Sequence, residues 1–208
     1  MCITLPTDLY HLNTLQFPQL FLIFPFMTTS PLSLLPEYSE KAYRQDYSSQ
    51  PEIEGVKHLD IRNFLNEEGD FSELFRFDES GHLEIMPDFQ LRQVNRTTIF
   101  PQAIKAWHFH HKQDEIWYVP PCYQLTLGLW DLREDSPTKN MKKKIQLGGG
   151  ASKAVFIPRG VGHGVANFSA HNGQLFYFVS QQFNANEPDE MRLHWNEAGA
   201  EFWTPERD

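Results

Sequence analysis

The segment IKAWHFHHKQDE, residues 104–115, begins with alternating side chains and ends in a run of polar and charged residues. Alternation with a period of two is typical of a β-strand, because successive side chains point to opposite faces of a sheet. The pattern places Lys105, Trp107 and Phe109 on one face and the remaining strand residues on the other, namely Ile104, Ala106, His108 and His110. We therefore expect His108 and His110 to point into the same space.

Two further residues can join these histidines. Four residues separate His110 from Glu115, enough for a turn that returns a carboxylate beside the imidazoles. In FIPRGVGHGVAN, residues 156–167, Pro158 and Gly160 predict a tight turn that delivers His163 to a new strand. Imidazole nitrogens and carboxylate oxygens commonly bind one divalent metal such as Zn, Mn, Ni or Fe. The candidate ligands are His108, His110, Glu115 and His163.

Composition limits the possible partners. The 208 residues carry a formal charge of −9, which argues against binding to a nucleic-acid polymer, since such binding needs clustered Lys and Arg. The basic run Lys139–Lys144 is interpreted as a solvated loop. The two cysteines, Cys2 and Cys122, have no zinc-site spacing and indicate no disulfide framework, which favours a reducing compartment, the cytoplasm.

The N-terminal region differs from the rest of the chain. Residues 1–26 are apolar and contain no Lys or Arg, but Pro18 and Pro25 interrupt a run too short to span a bilayer. The basic start and small-residue cleavage site of a signal peptide are missing. We therefore predict no membrane association and interpret Met27 as the natural start. Residues 1–57 are predicted to be a poorly ordered extension and linker, and residues 58–208 to be one folded domain.

The domain is predicted to be all-β. Short apolar or alternating runs follow one another between turn residues, and no long segment has helical periodicity. The predicted strands are Leu91–Thr97, Ile104–His110, Glu115–Val119, Tyr123–Asp131, Lys153–Ile157, Gly164–Phe168 and Gln174–Gln181.

The chain resembles the cupin superfamily at two signature segments. The first, H-x-H-x4-E, falls on His108, His110 and Glu115, and the second, P-x-G-x2-H-x3-N, falls on residues 158–167. Both occur in the expected order with a β-rich stretch between them. The resemblance implies a small jelly-roll-like β-barrel with short helical or irregular termini and the candidate ligands at its mouth.

Residues 60–205 resemble one family more narrowly, the dTDP-4-dehydrorhamnose 3,5-epimerases. The matching pieces are GDFSELF at 69–75, QVN at 93–95, DLREDSPT at 131–138, IPRGVGHGV at 157–165, HWNE at 194–197 and FWTP at 202–205. The family inverts carbons beside the ketone of a nucleotide-linked 4-keto-6-deoxy sugar, works without a metal and forms dimers through exchanged N-terminal strands. A sugar nucleotide and a second copy of the chain are the partners it implies.

The resemblance also implies roles for individual residues. His108 falls on the base that removes a proton, Glu197 on the carboxylate that orients this base, and Tyr177 on the proton donor. Substrate binding is assigned to five residues, Glu73, Gln93, Asn95, Lys105 and His163.

Two departures from the family leave alternatives open. His110 replaces a glutamine, and Glu115 replaces the lysine beside the enolate oxygen, where a carboxylate would repel negative charge. The same two changes complete the cupin metal set, and a bound cation could replace the lysine. If a metal binds His108, this residue is a ligand and cannot be the base. The alternatives are a metal-dependent cupin with other chemistry, such as an oxygenase or sugar isomerase, and a non-catalytic sugar-binding cupin.

Overall fold

The structure is a computed structural model that describes residues 32–205. It divides after Ser48. Within residues 32–48 the side chains are exposed, and one helical turn, α1, covers Pro36–Ser39. Residues 49–205 form the β-rich unit. No helix among residues 32–205 is long and apolar enough to cross a membrane.

The β-rich unit begins before the predicted boundary at residue 57. Ile53 and Val56 are buried in its core, so residues 49–57 belong to the folded unit and not to the linker. Their apolar side chains are isolated among polar neighbours, which is why they gave no strand signal. The interpretation of Met27 as the natural start concerns residues outside the described part of the chain, and it stays a prediction.

Fourteen strands and one 3-10 helix, Ala200–Trp203, make up the described part of this unit. The strands are β1 Lys57–Asp60, β2 Phe64–Asn66, β3 Gly69–Phe71, β4 His82–Leu83, β5 Met86–Gln90, β6 Gln93–Ile99, β7 Ile104–Phe109, β8 Glu115–Tyr118, β9 Gln124–Asp131, β10 Lys142–Gly148, β11 Lys153–Ile157, β12 Val161–Ala166, β13 Gly173–Val179 and β14 Met191–Arg192. All seven predicted strands are present with ends shifted by a few residues.

Two five-stranded antiparallel sheets carry the fold. The first has the strand order β1-β11-β8-β13-β6 and the second β10-β9-β12-β7-β14. Two short hairpins, β2-β3 and β4-β5, lie outside them. The all-β prediction is confirmed.

The main core lies between the two sheets. In β9, Leu125, Leu127 and Leu129 are buried on one face, as the alternation of this strand predicts. They pack with Val155 and Leu175 of the first sheet. Burying a side chain of this size contributes about 1.5–3 kcal/mol, so this interface holds the sheets together.

The outer faces of both sheets are covered as well. Ile116 and Tyr118 of the first sheet pack with Phe89 in one apolar cluster. In the second sheet, Trp107 packs with Trp203 of the C-terminal segment, their rings 5.0 Å apart. The apolar surface on both faces of each strand explains why the runs in the sequence are only partly alternating.

The prediction of a solvated loop at Lys139–Lys144 is wrong for its second half. Lys142 begins β10, the edge strand of the second sheet, and its ammonium lies 4.8 Å from the Trp130 ring centre and donates to the Ala198 carbonyl at 2.9 Å. Lysine is well suited to an edge strand because its stem packs while its charge opposes edge-to-edge association. The run of lysines therefore looks like a solvated loop in the sequence although its second half forms a strand.

A register shift between β7 and β12 determines which side chains of β7 face the interior. His163 pairs with His108 but Val165 pairs with Lys105, so β7 has one extra residue over this interval. Lys105 and His108 therefore face the same side, whereas strict alternation places them on opposite faces. Gly164 lies against the extra residue, where an added Cβ would be 2.3 Å from the Ala106 Cβ. Only glycine allows this approach.

In the segment DLREDSPT, residues 131–138, hydrogen bonds to Asp131 form a network that we call the clamp. The buried Asp131 carboxylate accepts hydrogen bonds from Arg133 Nε at 2.8 Å, Ser136 Oγ at 2.5 Å and Thr138 Oγ1 at 2.7 Å. Arg133 and Thr138 in turn bond the backbone carbonyl and amide of Glu54. The network thus fastens residues 53–56 to the sheets, and burial, which raises the pKa of Asp131, is outweighed by these bonds, which lower it.

Asp131→Asn should reduce the free energy of unfolding by about 2–3 kcal/mol at pH 7, because charge-assisted hydrogen bonds are lost at a buried position. A carboxylate with a depressed folded pKa contributes stability above its unfolded pKa, near 4, and loses this contribution as the pH falls through the folded value. The difference between wild type and variant should therefore shrink below about pH 4. Urea unfolding at several pH values measures it. The exposed Asp135→Asn is the control, and an equal effect in both variants would contradict the clamp.

Candidate active site

A cavity of about 560 Å³ opens between the two sheets. This volume lies within the range of roughly 300–1,000 Å³ that small-molecule sites occupy. Strands β6, β8 and β13 of the first sheet line one side, and β7, β12 and β14 of the second sheet line the other. Residues 181–190, which connect β13 to β14, contribute to the rim.

Three of the four predicted metal ligands meet at this cavity. One ligand atom each from His110, Glu115 and His163 lies within 4.8 Å of the others, and all three residues are buried. His110 Nε2 is 2.9 Å from Glu115 Oε1, and His163 Nε2 is 3.6 Å from Glu115 Oε2. We call these three residues the His-Glu-His group.

The surroundings of the His-Glu-His group orient each member. The Nδ1 atom of His163 lies 3.0 Å from the Val161 carbonyl, and that of His110 lies at the Asp189 carbonyl, so both imidazoles turn Nε2 toward Glu115. The Glu115 carboxylate accepts hydrogen bonds from the Trp117 indole and from Gln113 Nε2.

The pKa values of the group follow from these contacts. Burial raises the pKa of Glu115, but the adjacent His163 and His110 and the Trp117 indole outweigh burial and lower the pKa to about 2. Burial also lowers the pKa of His163. For His110, burial lowers the pKa, and the contact with Glu115 reverses this and leaves it raised. Glu115 is therefore a buried anion whose described ion-pair partners are imidazoles.

His108, the fourth predicted ligand, is not part of the His-Glu-His group. Its ring stacks on His163 with 6.2 Å between ring centres, and its Nδ1 atom lies 3.1 Å from Glu190 Oε1. Burial, together with His163 and Arg192, lowers the pKa of His108 to about 4 against the opposing effect of Glu190. His108 is therefore a neutral imidazole near pH 7 that faces the cavity.

The carboxylate predicted to orient His108 is the wrong residue. Glu197 is exposed and does not line the cavity, whereas Glu190 lines the cavity and its Oε1 atom lies 3.1 Å from His108 Nδ1. The cause is β14, which pairs Arg192 with His108 and so brings Glu190 to the imidazole. This two-residue strand is too short to show a periodicity, and the sequence offered no signal for it.

The remaining predicted residues divide into two groups. Gln93, Asn95, Lys105 and Tyr177 all line the cavity. Gln93 Nε2 donates to Asn95 Oδ1 at 2.8 Å, and Lys105 Nζ donates to Thr97 Oγ1 at 2.9 Å. Burial, together with Glu115 and Glu190, raises the pKa of Tyr177, so its hydroxyl keeps its proton.

Glu73, by contrast, is not at the cavity of its own chain. Its carboxylate accepts a hydrogen bond from Arg76 at 2.7 Å on an exposed surface.

The rim connection at residues 181–190 was not predicted to take part in the site. Asp189 holds it in place, because its carboxylate accepts the backbone amides of His111, Lys112 and Gln113 at 2.8–3.0 Å. The rim is thus bonded to the turn that leads to Glu115. The acidic residues of this connection were the one feature of the sequence that could have indicated a role in the site. Nothing in the sequence, however, placed them near His110.

A profile of the family described as dTDP-4-dehydrorhamnose 3,5-epimerase matches residues 50–205. The chain belongs to the dTDP-4-dehydrorhamnose 3,5-epimerase family. It is 33% identical over 155 residues to the spore coat polysaccharide biosynthesis protein SpsL of Bacillus subtilis, a match that covers 74% of this chain and 98% of the relative. A probable low-salt glycan biosynthesis epimerase of Haloferax volcanii is 26% identical over 146 residues, covering 70% and 90% of the two chains.

Solved structures of other proteins share the fold of this chain. NovW, a 4-keto-6-deoxy sugar epimerase of Streptomyces spheroides, superposes with a TM-score of 0.62 at 22% identity and covers 73% of this chain and 75% of its own. The predicted cupin β-barrel is confirmed by this likeness. Family membership makes the chain a carbohydrate epimerase, which confirms the predicted enzyme class.

Glu190→Gln should lower kcat of the epimerase reaction about 10–100-fold with little change in KM, because the imidazolium formed at His108 loses its counter-charge while the amide keeps the shape. Glu197→Gln is the matched control and should stay within about twofold of wild type, as surface changes usually do. Steady-state kinetics of the three proteins tests this. A loss of activity in Glu197→Gln alone would return the orienting role to that residue.

Proposed function

We propose that this protein inverts one or both carbons beside the ketone of a nucleotide-linked 4-keto-6-deoxy sugar. The observation that carries the proposal is the placement of a carboxylate-bound imidazole and a phenol on opposite sheets of one cavity. His108 and Glu190 lie on the side of the cavity formed by the second sheet, and Tyr177 lies on the side formed by the first. Inversion requires this arrangement, because the proton must leave one face of the carbon and return to the other.

His108 is suited to remove the proton. Its Nδ1 atom faces Glu190 and therefore carries the hydrogen, which leaves the Nε2 lone pair to accept a proton from carbon. The electron pair of the broken C–H bond then forms a C=C bond, and the carbonyl pair moves to oxygen. Glu190 stabilises the resulting imidazolium by its negative charge.

Tyr177 is suited to return the proton. Because its pKa is raised, the hydroxyl is protonated at pH 7 and can donate from the opposite face. The C=C pair takes this proton to form the new C–H bond, the oxygen pair restores the C=O bond, and proton exchange with solvent resets both side chains. Gln93 and Asn95 offer amides for the hydroxyl groups of the substrate, and Lys105 offers an ammonium for a diphosphate, although without the bidentate fork of arginine.

Incubation in D2O with dTDP-4-keto-6-deoxyglucose should introduce deuterium at the carbons beside the ketone. Tyr177→Phe should still exchange these protons but yield much less inverted product, since removal on the His108 face is intact. His108→Asn should reduce exchange by about 100-fold or more. Proton NMR follows both readouts. Binding of the sugar nucleotide without exchange in the wild type would favour the non-catalytic sugar-binding alternative.

We also propose that the protein works as a homodimer. Phe64 and Phe71 face each other across the β2-β3 hairpin and remain 56% and 65% exposed, and Leu65 is 82% exposed. Exposed apolar side chains on a short hairpin favour burial against another chain. Glu73 follows this hairpin and lies away from its own cavity, so its predicted role in substrate binding requires the cavity of a partner.

A mixture of Glu73→Ala and His108→Ala chains tests this arrangement. Light scattering should give twice the chain mass of 24.3 kDa. If Glu73 acts across the dimer, co-refolding two inactive variants should restore up to about one quarter of wild-type activity, since half of the dimers then contain one complete site. Activity that stays at the level of the separate variants would show that Glu73 acts within its own chain or not at all.

A cytoplasmic location is part of the proposal. It is supported by the free thiol of Cys122, which is exposed and is the single cysteine among residues 32–205. Exposed free thiols persist in reducing compartments.

A further inference from the structure

The proposed function requires the cavity to stabilise a negative charge close to a buried carboxylate. Removing a proton beside a ketone places negative charge on the carbonyl oxygen, and this charge needs a positive partner in a cavity that excludes water. Glu115 is a buried carboxylate at the same cavity and would repel the oxygen. Some positive charge must therefore offset Glu115 when the enolate forms.

The lysine and arginine side chains described at the cavity do not supply it, and a proton on His110 would only balance the charge of Glu115 without a surplus for the enolate. Lys112 is paired with Glu187 at 3.2 Å, and Arg192 is paired with Glu190 at 2.5 Å. Lys105 is held at the Thr97 hydroxyl of β6. Within residues 32–205, the ion pairs of Glu115 are with His110 and His163 alone.

The His-Glu-His group has the composition and spacing of a metal site. Two imidazole nitrogens and one carboxylate on one side of an ion leave its other positions open to a substrate. With metal–ligand bonds of about 2.1 Å, neighbouring ligand atoms lie about 3.0–3.4 Å apart, between right and tetrahedral angles. Glu115 Oε1 is 2.9 Å from His110 Nε2 and Glu115 Oε2 is 3.6 Å from His163 Nε2, so each carboxylate oxygen lies close to this range from one imidazole.

The contacts around the group favour a metal further. Both imidazoles direct Nδ1 at a backbone carbonyl, which leaves the Nε2 lone pairs inside the group. This is how metal-binding histidines are oriented in proteins, and hydrogen bonds to the ligating carboxylate play the same part. Trp117 and Gln113 provide such bonds to Glu115.

We propose that His110, Glu115 and His163 bind one divalent cation that polarises the ketone of the substrate, while His108 stays free as the base. The inference rests on the proposed epimerase function for the role of the cation, but not for its binding. Held by these three residues, a cation of charge +2 would more than neutralise Glu115 and would make this position attractive to the enolate oxygen. His108 lies outside the ligand set because the described ligand atoms that lie within 4.8 Å of one another belong to His110, Glu115 and His163, whereas the His108 ring centre is 6.2 Å from that of His163.

Metal binding is measured first, without turnover. Full-length protein is purified without chelating resin, stripped with EDTA, and titrated with Co²⁺, whose visible absorption reports its coordination. One Co²⁺ per chain is expected. Glu115→Gln and His163→Ala should each weaken binding by about 100-fold or more, beyond the 10–100-fold effect of losing an outer partner. Glu115→Gln preserves side-chain volume, and thermal unfolding checks that both variants fold.

His108→Ala is the decisive control. It should bind Co²⁺ with the wild-type affinity, because the proposed set has three ligands and does not include His108. Loss of the ion in this variant would overturn the assignment in favour of four ligands and would remove His108 from the role of base. A wild-type protein with no affinity for Co²⁺, Zn²⁺ or Mn²⁺ would overturn the site altogether.

The role of the cation is tested by substrate binding in His108→Ala, which holds the substrate without removing its proton. Adding dTDP-4-keto-6-deoxyglucose should change the Co²⁺ absorption, because the ketone oxygen enters the coordination sphere. An unchanged spectrum with bound substrate would overturn this role. Deuterium exchange by metal-free wild type would also overturn it while leaving the epimerase proposal intact. Metal binding with no exchange in any form would instead overturn the epimerase proposal.

Discussion

The pairing of β7 with β12 is the constraint on which the rest of the site depends. β7 has one extra residue opposite Gly164, and this residue interrupts the alternation of side chains along the strand. As a result, Lys105 and His108 both face the cavity, and Trp107 packs into the apolar cluster on the outer face of the sheet. With strict alternation, Lys105 would lie on the same face as Trp107, away from the cavity. A glycine is the only residue whose backbone can approach closely enough to allow it.

The burial of Glu115 is the second physical feature that organises the cavity. Removing a carboxylate from water is costly unless hydrogen bonds and opposite charges compensate. Here two imidazoles, an indole and an amide surround it, and each is held by its own strand or turn. These contacts orient His110 and His163 around the carboxylate.

Membership in the epimerase family and the departures from its pattern are compatible because they concern side chains that are buried to different degrees in the cavity. The imidazole–carboxylate pair of His108 and Glu190 is formed by β7 and β14, and the phenol of Tyr177 comes from β13. The His-Glu-His group lies deeper, with His163 on β12 and Glu115 on β8. The proton-transfer residues can therefore be retained while the group that meets the carbonyl oxygen changes its chemistry. Folds accept such exchanges because different functional side chains can be placed on the same scaffold.

The sequence by itself determined the strand class, seven of the strands, the meeting of His110, Glu115 and His163, and the family. These follow from local periodicity, from turn residues such as Pro158 and Gly160, and from motif spacing, all of which act over short stretches of chain. Tertiary structure alone decided that Glu190 and not Glu197 contacts His108, that Lys105 shares a face with His108, and that the lysine run forms an edge strand. Each of these depends on a pairing between strands distant in sequence, whose register is set by packing across the sheets and leaves no local pattern.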